Sequence, residues 1–335
     1  MKIKYLLIII SLISFSFTSI CYGETNKEED NNIIDSIPVE RKILSFDIDG
    51  IKFDMVECPS GNFTMGCIDE EFINDYFIKI INNEGHHRSH GFIYNEKPHQ
   101  VLISKPFYIG KFEVTQSLYE HIMEENPSTF KGANKPVERV SYEDIAISKE
   151  PIIKKVKILK EGKITNPLDY INAPTRDEVI ATGTVCLLER INKLLEKQIP
   201  PGYKFDLPTE AQWEYACKAG TSKNFVITDE VGWYDTNSNG TTHEVGQKKP
   251  NAWGIYDMHG NVLEWCRDWY SEYKKDSNNV IEINPTGVEV GGYRVYRGGC
   301  FSRGSSFCRS SVRTPCIPRA KTEEAGFRLA LVPVD

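Results

Sequence analysis

Cysteine is the residue type in this sequence with the widest chemistry, because its thiol can form a disulfide or bind a metal ion. The chain has nine cysteines, and the first of them, Cys21, lies in an apolar N-terminal stretch. The other eight are Cys58, Cys67, Cys186, Cys217, Cys266, Cys300, Cys308 and Cys316. An even number permits disulfides in an oxidising compartment, although free cysteine is also a common small buried residue. No two are spaced C-x-x-C, so the sequence does not indicate a zinc ribbon or a thioredoxin-type redox site.

Two acidic residues, Asp257 and Glu264, flank a Gly260-Asn261 turn. Calcium prefers carboxylate oxygens mixed with backbone carbonyls, and a turn of this kind can direct carbonyls inward. The pattern therefore indicates a calcium site. The alternative interpretation is that Glu264 is a buried, hydrogen-bonded acid beside Trp265.

Four histidines occur within fourteen residues, at His86, His87, His90 and His99. Imidazole nitrogens bind transition metals, but no strand or helix spacing fixes these side chains relative to one another. We therefore interpret the segment as a solvated loop.

The N-terminus has the order of a secretory signal peptide over residues 1–23. Lys2 and Lys4 precede an apolar core, and small residues follow it. The core is short for a membrane span, which needs about 20 apolar residues. The alternatives are an uncleaved anchor and lipid attachment at Cys21. We expect an exported protein that is periplasmic, secreted or cell-surface, with no transmembrane segment in the mature chain.

The composition is that of a soluble globular protein. The chain has 335 residues, a formal net charge of −7, 40% hydrophobic residues and 26% charged residues. These proportions exclude a mainly disordered chain, a coiled coil and a multi-pass membrane protein. The acidic balance and the lack of basic runs argue against nucleic acid as a partner. Residues 24–42 are a polar linker, and the folded domain spans residues 43–335.

The hydrophobic pattern predicts the strands that position these groups. Polar and apolar residues alternate around Asp49-Gly50, which predicts a β-hairpin. Further short strands are predicted at residues 61–66, 101–103 and 107–109.

Helices are few in the predicted domain. One is capped by Thr115, a second, amphipathic one covers residues 186–196, and a third begins with the capping box of Thr209 and Gln212. Residues 145–185 match none of these patterns, so we interpret them as a surface insertion. Loops dominate after the third helix, and loops this long are normally functional or held by disulfides or ions.

Nine short motifs follow one another between residues 43 and 335. They are FTMG (63–66), EKPHQV (96–101), YIGKFEVT (108–115), PVERVS (136–141), LPTEAQWEYA (207–216), VG with PN (245–246 and 250–251), YDMHGNVLEW (256–265), RGG (297–299) and GFRLA (326–330). In this order they resemble the formylglycine-generating enzyme, or sulfatase-modifying factor, family. The resemblance implies a single α+β domain of C-type-lectin-like topology that is loop-rich, low in regular secondary structure and often stabilised by calcium.

The resemblance also implies the calcium ligands. In the family, the positions that match Asp257, Gly260, Val262 and Glu264 surround a calcium ion, the outer two by side chain and the inner two by main chain. Calcium is therefore the expected cofactor. A second calcium site of the family would fall near residues 231–239, where no clear match to its ligands is present.

Copper is the second cofactor that the resemblance raises. Family enzymes hold copper(I) with two cysteines five residues apart and use O2 to oxidise a cysteine of a sulfatase client with the motif C-x-P-x-R. Counted from the RGG motif, the second position is Cys308 and the first is Arg303. Arginine has no lone pair for a metal, whereas soft thiolates select copper(I). Cys300 with Cys308 is therefore the remaining candidate catalytic pair.

The family pattern also bears on disulfides. Cys217 matches a bridging cysteine whose partner position is Arg313 here, and Cys316 lies three residues later. Cys217–Cys316 is the candidate bridge, although the sequence does not fix the partner.

Two functions from different classes follow. The first is a non-catalytic binding module, in which Arg303, Arg309 and Arg313 face a protein or peptide ligand that is acidic or bears a carboxylate. The alternative role of these arginines is to satisfy carbonyls and acids of the same chain. The second function is a formylglycine-generating oxidase acting on C-x-P-x-R clients with copper(I) and O2. We favour the binding module because a guanidinium stands where a copper ligand is required.

Overall fold

A computed structural model describes residues 41–67, 96–159, 175–221, 227–273 and 280–334 of the chain. These residues belong to one compact unit, Ile37–Asp335. The predicted signal peptide, most of the predicted linker, and His86, His87 and His90 lie outside the described residues. No helix in the described part of the chain is long and apolar enough to cross a membrane.

The largest sheet begins with the hairpin predicted around Asp49-Gly50. Both turn residues have positive φ, 49° and 91°, as a two-residue type I′ turn requires. The sheet is antiparallel, with the order β1-β2-β5-β14-β8. Its strands are β1 (Ile43–Ile48), β2 (Ile51–Cys58), β5 (Phe107–Gly110), β8 (Tyr203–Asp206) and β14 (Ala330–Pro333).

Two smaller sheets carry the polar sites. One has the order β10-β4-β3 and the other the order β12-β11-β9-β13. Their strands are β3 (Gly61–Met65), β4 (His99–Ile103), β9 (Leu263–Trp269), β10 (Glu282–Ile283), β11 (Arg294–Arg297), β12 (Thr314–Cys316) and β13 (Ala325–Gly326). The sequence pattern did not predict β9, which is mostly buried and includes Glu264.

The described residues form four α-helices, and the three predicted ones are among them. They are α1 (Gln116–Met123), α2 (Tyr142–Ala146), α3 (Leu187–Leu194) and α4 (Glu210–Lys218). At the start of α4, Thr209 Oγ1 accepts the Gln212 N–H at 3.1 Å and Gln212 Oε1 accepts the Thr209 N–H at 2.9 Å. This geometry confirms the predicted capping box.

Much of the 145–185 segment is regular, which corrects the expectation that it matches no secondary-structure pattern. Helix α2 ends inside it, and β6 (Lys149–Leu159) pairs with β7 (Thr175–Thr184) in an antiparallel two-stranded sheet. The two strands pair with each other and with no third strand among the described residues.

Helix α4 is buried along almost its whole length, including its charged residues. Glu214 Oε1 lies 2.7 Å from Lys218 Nζ and accepts the Gly66 N–H at 2.7 Å. Arg297, on β11, is fully buried and pairs with the other oxygen of Glu214. Burial acts to raise the pKa of Glu214, but Lys218 and Arg297 outweigh it and hold that pKa below its usual value. This network ties α4 to β3 and β11.

Replacement of Glu214 by Gln removes the anion that two buried cations share, so we expect Glu214→Gln to lower the free energy of unfolding by about 3 kcal/mol or more. The matched control is Glu230→Gln. It breaks an exposed 2.8 Å pair with Lys249 and should change the free energy of unfolding far less than Glu214→Gln does, because solvent screens the pair. Denaturant titration measures both variants at neutral pH.

Denaturant titration at acidic pH tests whether the charge of Glu214 is the cause of the lost stability. Because the pKa of Glu214 is lower in the folded state, its contribution is complete above the unfolded pKa and is lost as the pH falls through the folded pKa. The difference between wild type and Glu214→Gln should therefore shrink below about pH 4. Equal losses for Glu214→Gln and Glu230→Gln would contradict the assigned role.

Candidate functional site

Cys308 ends a short 3-10 helix, Ser305–Cys308, and its side chain is fully buried. It packs against Ile227 and Tyr234. The preceding turn comes very close to the thiol, since a Cβ atom at Gly299 would lie 2.6 Å from Cys308 Sγ. Gly299 also has a φ of 73°, so glycine is required there for both conformation and space.

Cys300 is also buried, with its Sγ 3.4 Å from Ser302 Oγ. The backbone N–H of Cys300 donates to the sulfur of Cys308, and the proximity of Cys300 adds to the effect of burial in raising the pKa of the Cys308 thiol. Burial likewise raises the pKa of Cys300. Without a metal ion, both groups are therefore neutral thiols near pH 7.

Arg303 occupies the first copper position that the resemblance implies. Its Nη2 lies 2.9 Å from Glu324 Oε2, and Ser302 donates to the other oxygen of the same carboxylate. The guanidinium is thus paired at a side chain that is 40% exposed. The described residues do not fit the family's two-cysteine copper site, because one ligand is replaced by an ion-paired cation.

Arg309 and Arg313 are buried and bound to carboxylates of the same chain. Arg309 makes two hydrogen bonds to Glu96, at 2.8 and 3.0 Å. Arg313 Nη2 lies 2.6 Å from Glu210 Oε2, and its guanidinium stacks 3.8 Å from the Tyr273 ring. These contacts match the interpretation in which the arginines satisfy acids of the same chain. Contact of Arg303, Arg309 and Arg313 with an acidic ligand stays a prediction.

The second group of predicted site residues surrounds Arg328. Glu264 is fully buried, and both of its oxygens accept from Arg328, each at 2.6 Å. Trp213 Nε1 donates to the same carboxylate at 2.6 Å. Glu264 is therefore a buried, hydrogen-bonded acid, as the alternative interpretation has it, and its role as a calcium ligand stays a prediction.

Glu113, which sequence reasoning did not select, belongs to this group. It follows β5 and accepts from Asn261 Nδ2 at 2.6 Å and from the Val262 N–H at 3.1 Å. Burial, then Asp257 and Glu264, raise the pKa of Glu113 well above its usual value. The signal in the sequence was an acid in the otherwise apolar run that ends the YIGKFEVT motif.

Asp257 has one satisfied oxygen and one unsatisfied oxygen. Its Oδ2 accepts the Gly246 N–H at 2.7 Å, and its buried Oδ1 has no hydrogen-bond partner among the described residues. Burial raises the pKa of Asp257 to about 6. Three carboxylates thus share the one guanidinium of Arg328, and an added cation would balance them. Side chains alone do not complete a metal site in the described residues, which contain no group of three His, Cys, Asp or Glu arranged to hold a metal.

The predicted Cys217–Cys316 disulfide does not form in this structure, in which both residues are free thiols. Cys217 lies on α4, with its Sγ 3.8 Å from His259 Nε2. Cys316 ends β12 and is partly exposed. The two residues pack against different clusters of the core, which explains why they do not meet.

The sulfatase-modifying factor enzyme 1-like domain model matches residues 51–332, most of the chain. The chain belongs to this family. The chain is 38% identical over 199 residues to the chaperone protein LppX of Paenibacillus barcinonensis, covering 51% of this chain and 65% of that protein. It is 33% identical over 150 residues to the formylglycine-generating enzyme of Thermomonospora curvata, covering 38% of this chain and 50% of that protein. The chain thus spans less than two thirds of the length of both relatives.

Two solved structures share the fold of this chain. Treponema denticola variable protein 1 superposes with a TM-score of 0.61 and 24% identity, over 86% of this chain and 98% of that one. PvdO from Pseudomonas aeruginosa superposes with a TM-score of 0.56 and 22% identity. The match covers 83% of this chain and 94% of that one. At this identity the likeness confirms the predicted α+β, loop-rich fold and nothing further.

The described cysteines should differ sharply in reactivity. Cys316 is partly exposed and the other seven are buried. Alkylation of the native protein, mapped by mass spectrometry, should therefore label Cys316 first and the others after unfolding, and Cys316→Ser should remove the fast reaction. A Cys217–Cys316 linked peptide under non-reducing conditions would contradict the structure.

Proposed function

We propose that this domain is an exported, non-catalytic binding module of the sulfatase-modifying factor family. The observation that carries the proposal is the Arg303–Glu324 ion pair at the first copper position. An oxidase of this family requires a thiolate there, and a guanidinium offers no lone pair. The spacing of the remaining thiols adds support, because Cys300 and Cys308 are eight positions apart and do not reproduce the five-residue spacing of the family's copper ligands.

The named relatives are consistent with either class of function. LppX is called a chaperone, which fits a protein whose task is to bind. The matched Thermomonospora curvata protein is called a formylglycine-generating enzyme. The decision between the two classes therefore rests on the site itself.

One observation favours the oxidase as a second candidate. The Cys300 N–H donates to the Cys308 sulfur, and the two thiols are near enough for Cys300 to raise the pKa of Cys308. In that case the pair would oxidise a cysteine of a C-x-P-x-R client with copper(I) and O2.

Purified protein incubated with copper(I), O2 and a C-x-P-x-R peptide should leave the peptide mass unchanged. Arg303→Cys restores the five-residue spacing and should bind copper(I) more tightly than wild type, whereas Glu324→Gln breaks the same ion pair without adding a thiol and should not. An active family enzyme assayed alongside is the positive control. Peptide conversion by wild type that disappears in Cys308→Ser would overturn the binding module in favour of the oxidase.

We further propose that the group around Asp257 binds calcium. The support is the unpartnered buried Oδ1 of Asp257 and the raised pKa of Glu113, whose ionised form is disfavoured by burial and by the neighbouring acids Asp257 and Glu264. Asp257 would hold the ion with the backbone carbonyls of Gly260 and Val262. Calcium supplies positive charge to buried acids and so stabilises the loop that contains them.

The calcium proposal predicts a shift of the unfolding temperature. Calcium at 100 times its dissociation constant adds about 2.7 kcal/mol, which raises Tm by on the order of 5 °C relative to EDTA. Asp257→Asn should lose this response, whereas Glu230→Gln, an exposed charge loss, should keep it. Equal Tm values for wild type in calcium and in EDTA would refute the proposal.

A further inference from the structure

A cavity of about 440 Å³ opens between β10 and the end of β9, apart from the Cys300 and Cys308 thiols and from the group around Asp257. Glu210, Asp268 and Arg313 are among the residues that line it. The two acids are 3% and 4% exposed, so the pocket is built on buried polar side chains. The volume greatly exceeds the roughly 30 Å³ that one water occupies, and it suits a long side chain better than a bare ion.

The charge of this pocket is negative. Its lining also includes the acids Glu272 and Glu282, whereas Arg313 is its one guanidinium. Arg313 is already paired with Glu210, so it does not offset the other three carboxylates. The electrostatic field inside the pocket therefore favours a cation.

Asp268 is the carboxylate that lacks a cation. Its Oδ2 accepts the Glu210 N–H at 2.8 Å, the one hydrogen bond to this carboxylate from the described residues. Burial and then the charge of Glu210 raise the pKa of Asp268 to about 7, although Arg313 and Arg267 act in the other direction. Ionised Asp268 is thus poorly compensated, and a bound ammonium or guanidinium would compensate it.

The rim of the pocket is apolar and exposed. Ile283 and Val288 line the opening and are 64% and 42% exposed, and Val290, shortly after them, is 84% exposed. Ile283 belongs to β10, which pairs with β4 on one side and lies at the edge of its sheet in the described structure. An exposed strand edge with apolar neighbours suits an extended peptide segment.

We propose that this pocket binds a lysine or arginine side chain of a partner protein, with apolar residues on either side of that cation resting on the rim. The cation sits beside Asp268, and the flanking residues contact Ile283 and Val288. The inference rests on the proposed binding function and names the ligand chemistry for it. It also replaces an acidic ligand with a basic one, because the arginines once assigned to recognition are paired internally.

The test uses the full chain and a capped heptapeptide, Ac-SLSKSLS-NH2, measured by isothermal titration calorimetry. The matched peptide carries glutamine in place of the lysine. We expect the lysine peptide to bind at least tenfold more tightly, and Asp268→Asn to reduce its affinity about tenfold, which corresponds to the loss of one charge-assisted contact. Glu230→Gln removes an equal charge from an exposed position and should leave the affinity unchanged.

The pH dependence adds a readout that a folding defect does not mimic. Since burial and Glu210 raise the pKa of Asp268 to about 7, the affinity of wild type for the lysine peptide should rise from pH 6 to pH 8. His99 of β4 also lines the pocket and is unchanged in Asp268→Asn, so the rise should be clearly steeper in wild type than in that variant. A second variant, Ile283→Ser, changes the exposed rim without touching a buried charge and should weaken both peptides.

Equal affinity for the lysine and glutamine peptides, unchanged affinity in Asp268→Asn, or no lysine-peptide binding at about 1 mM would overturn the proposal. The peptides contain no cysteine, so these outcomes are independent of oxidase activity. Conversion of a C-x-P-x-R peptide would overturn the proposed function instead, so the two failures can be told apart.

Discussion

The buried charges of α4 are the constraint on which the rest of this structure depends. Glu210, Glu214 and Lys218 lie one turn apart on a helix that is packed on nearly all sides. A buried carboxylate is tolerated only when cations and hydrogen-bond donors surround it. Arg297 and Arg313 meet that need, so the segment after the RGG turn must return to α4. The position of β11 and of the chain that follows it is therefore set by charge pairing as well as by packing.

That pairing also decides which groups remain for recognition. Arg309 is bound to Glu96 and Arg313 to Glu210, so the positive charge of each guanidinium is neutralised inside the fold. What stays uncompensated is negative, at Asp257 in one site and at Asp268 in another. The number of arginines in the sequence suggests an acidic ligand. Because these arginines pair with acids of the same chain, the carboxylates that remain unpaired favour a cation instead.

Local features of this fold could be predicted from the sequence, because each depends on a few neighbouring residues. The Asp49-Gly50 turn and the Thr209–Gln212 capping box are of this kind. Glu113 and Asp257 are 144 positions apart, and no local pattern states that they share a site. The Cys217–Cys316 bridge failed for the same reason, since family spacing identifies a position but not the packing that separates the two thiols.

Arg303, at the first copper position that the resemblance implies, has a carboxylate partner that balances its charge. An arginine placed in an intact copper site would bring a cation beside a buried sulfur with nothing to balance it. Here Glu324 pairs with the guanidinium, and Ser302 donates to the same carboxylate. Glu324 keeps a pKa below its usual value although burial acts to raise it, because Ser302 and Arg303 hydrogen-bond to it. The surroundings of position 303 are thus matched to a guanidinium, which supports the proposal that this domain is a binding module.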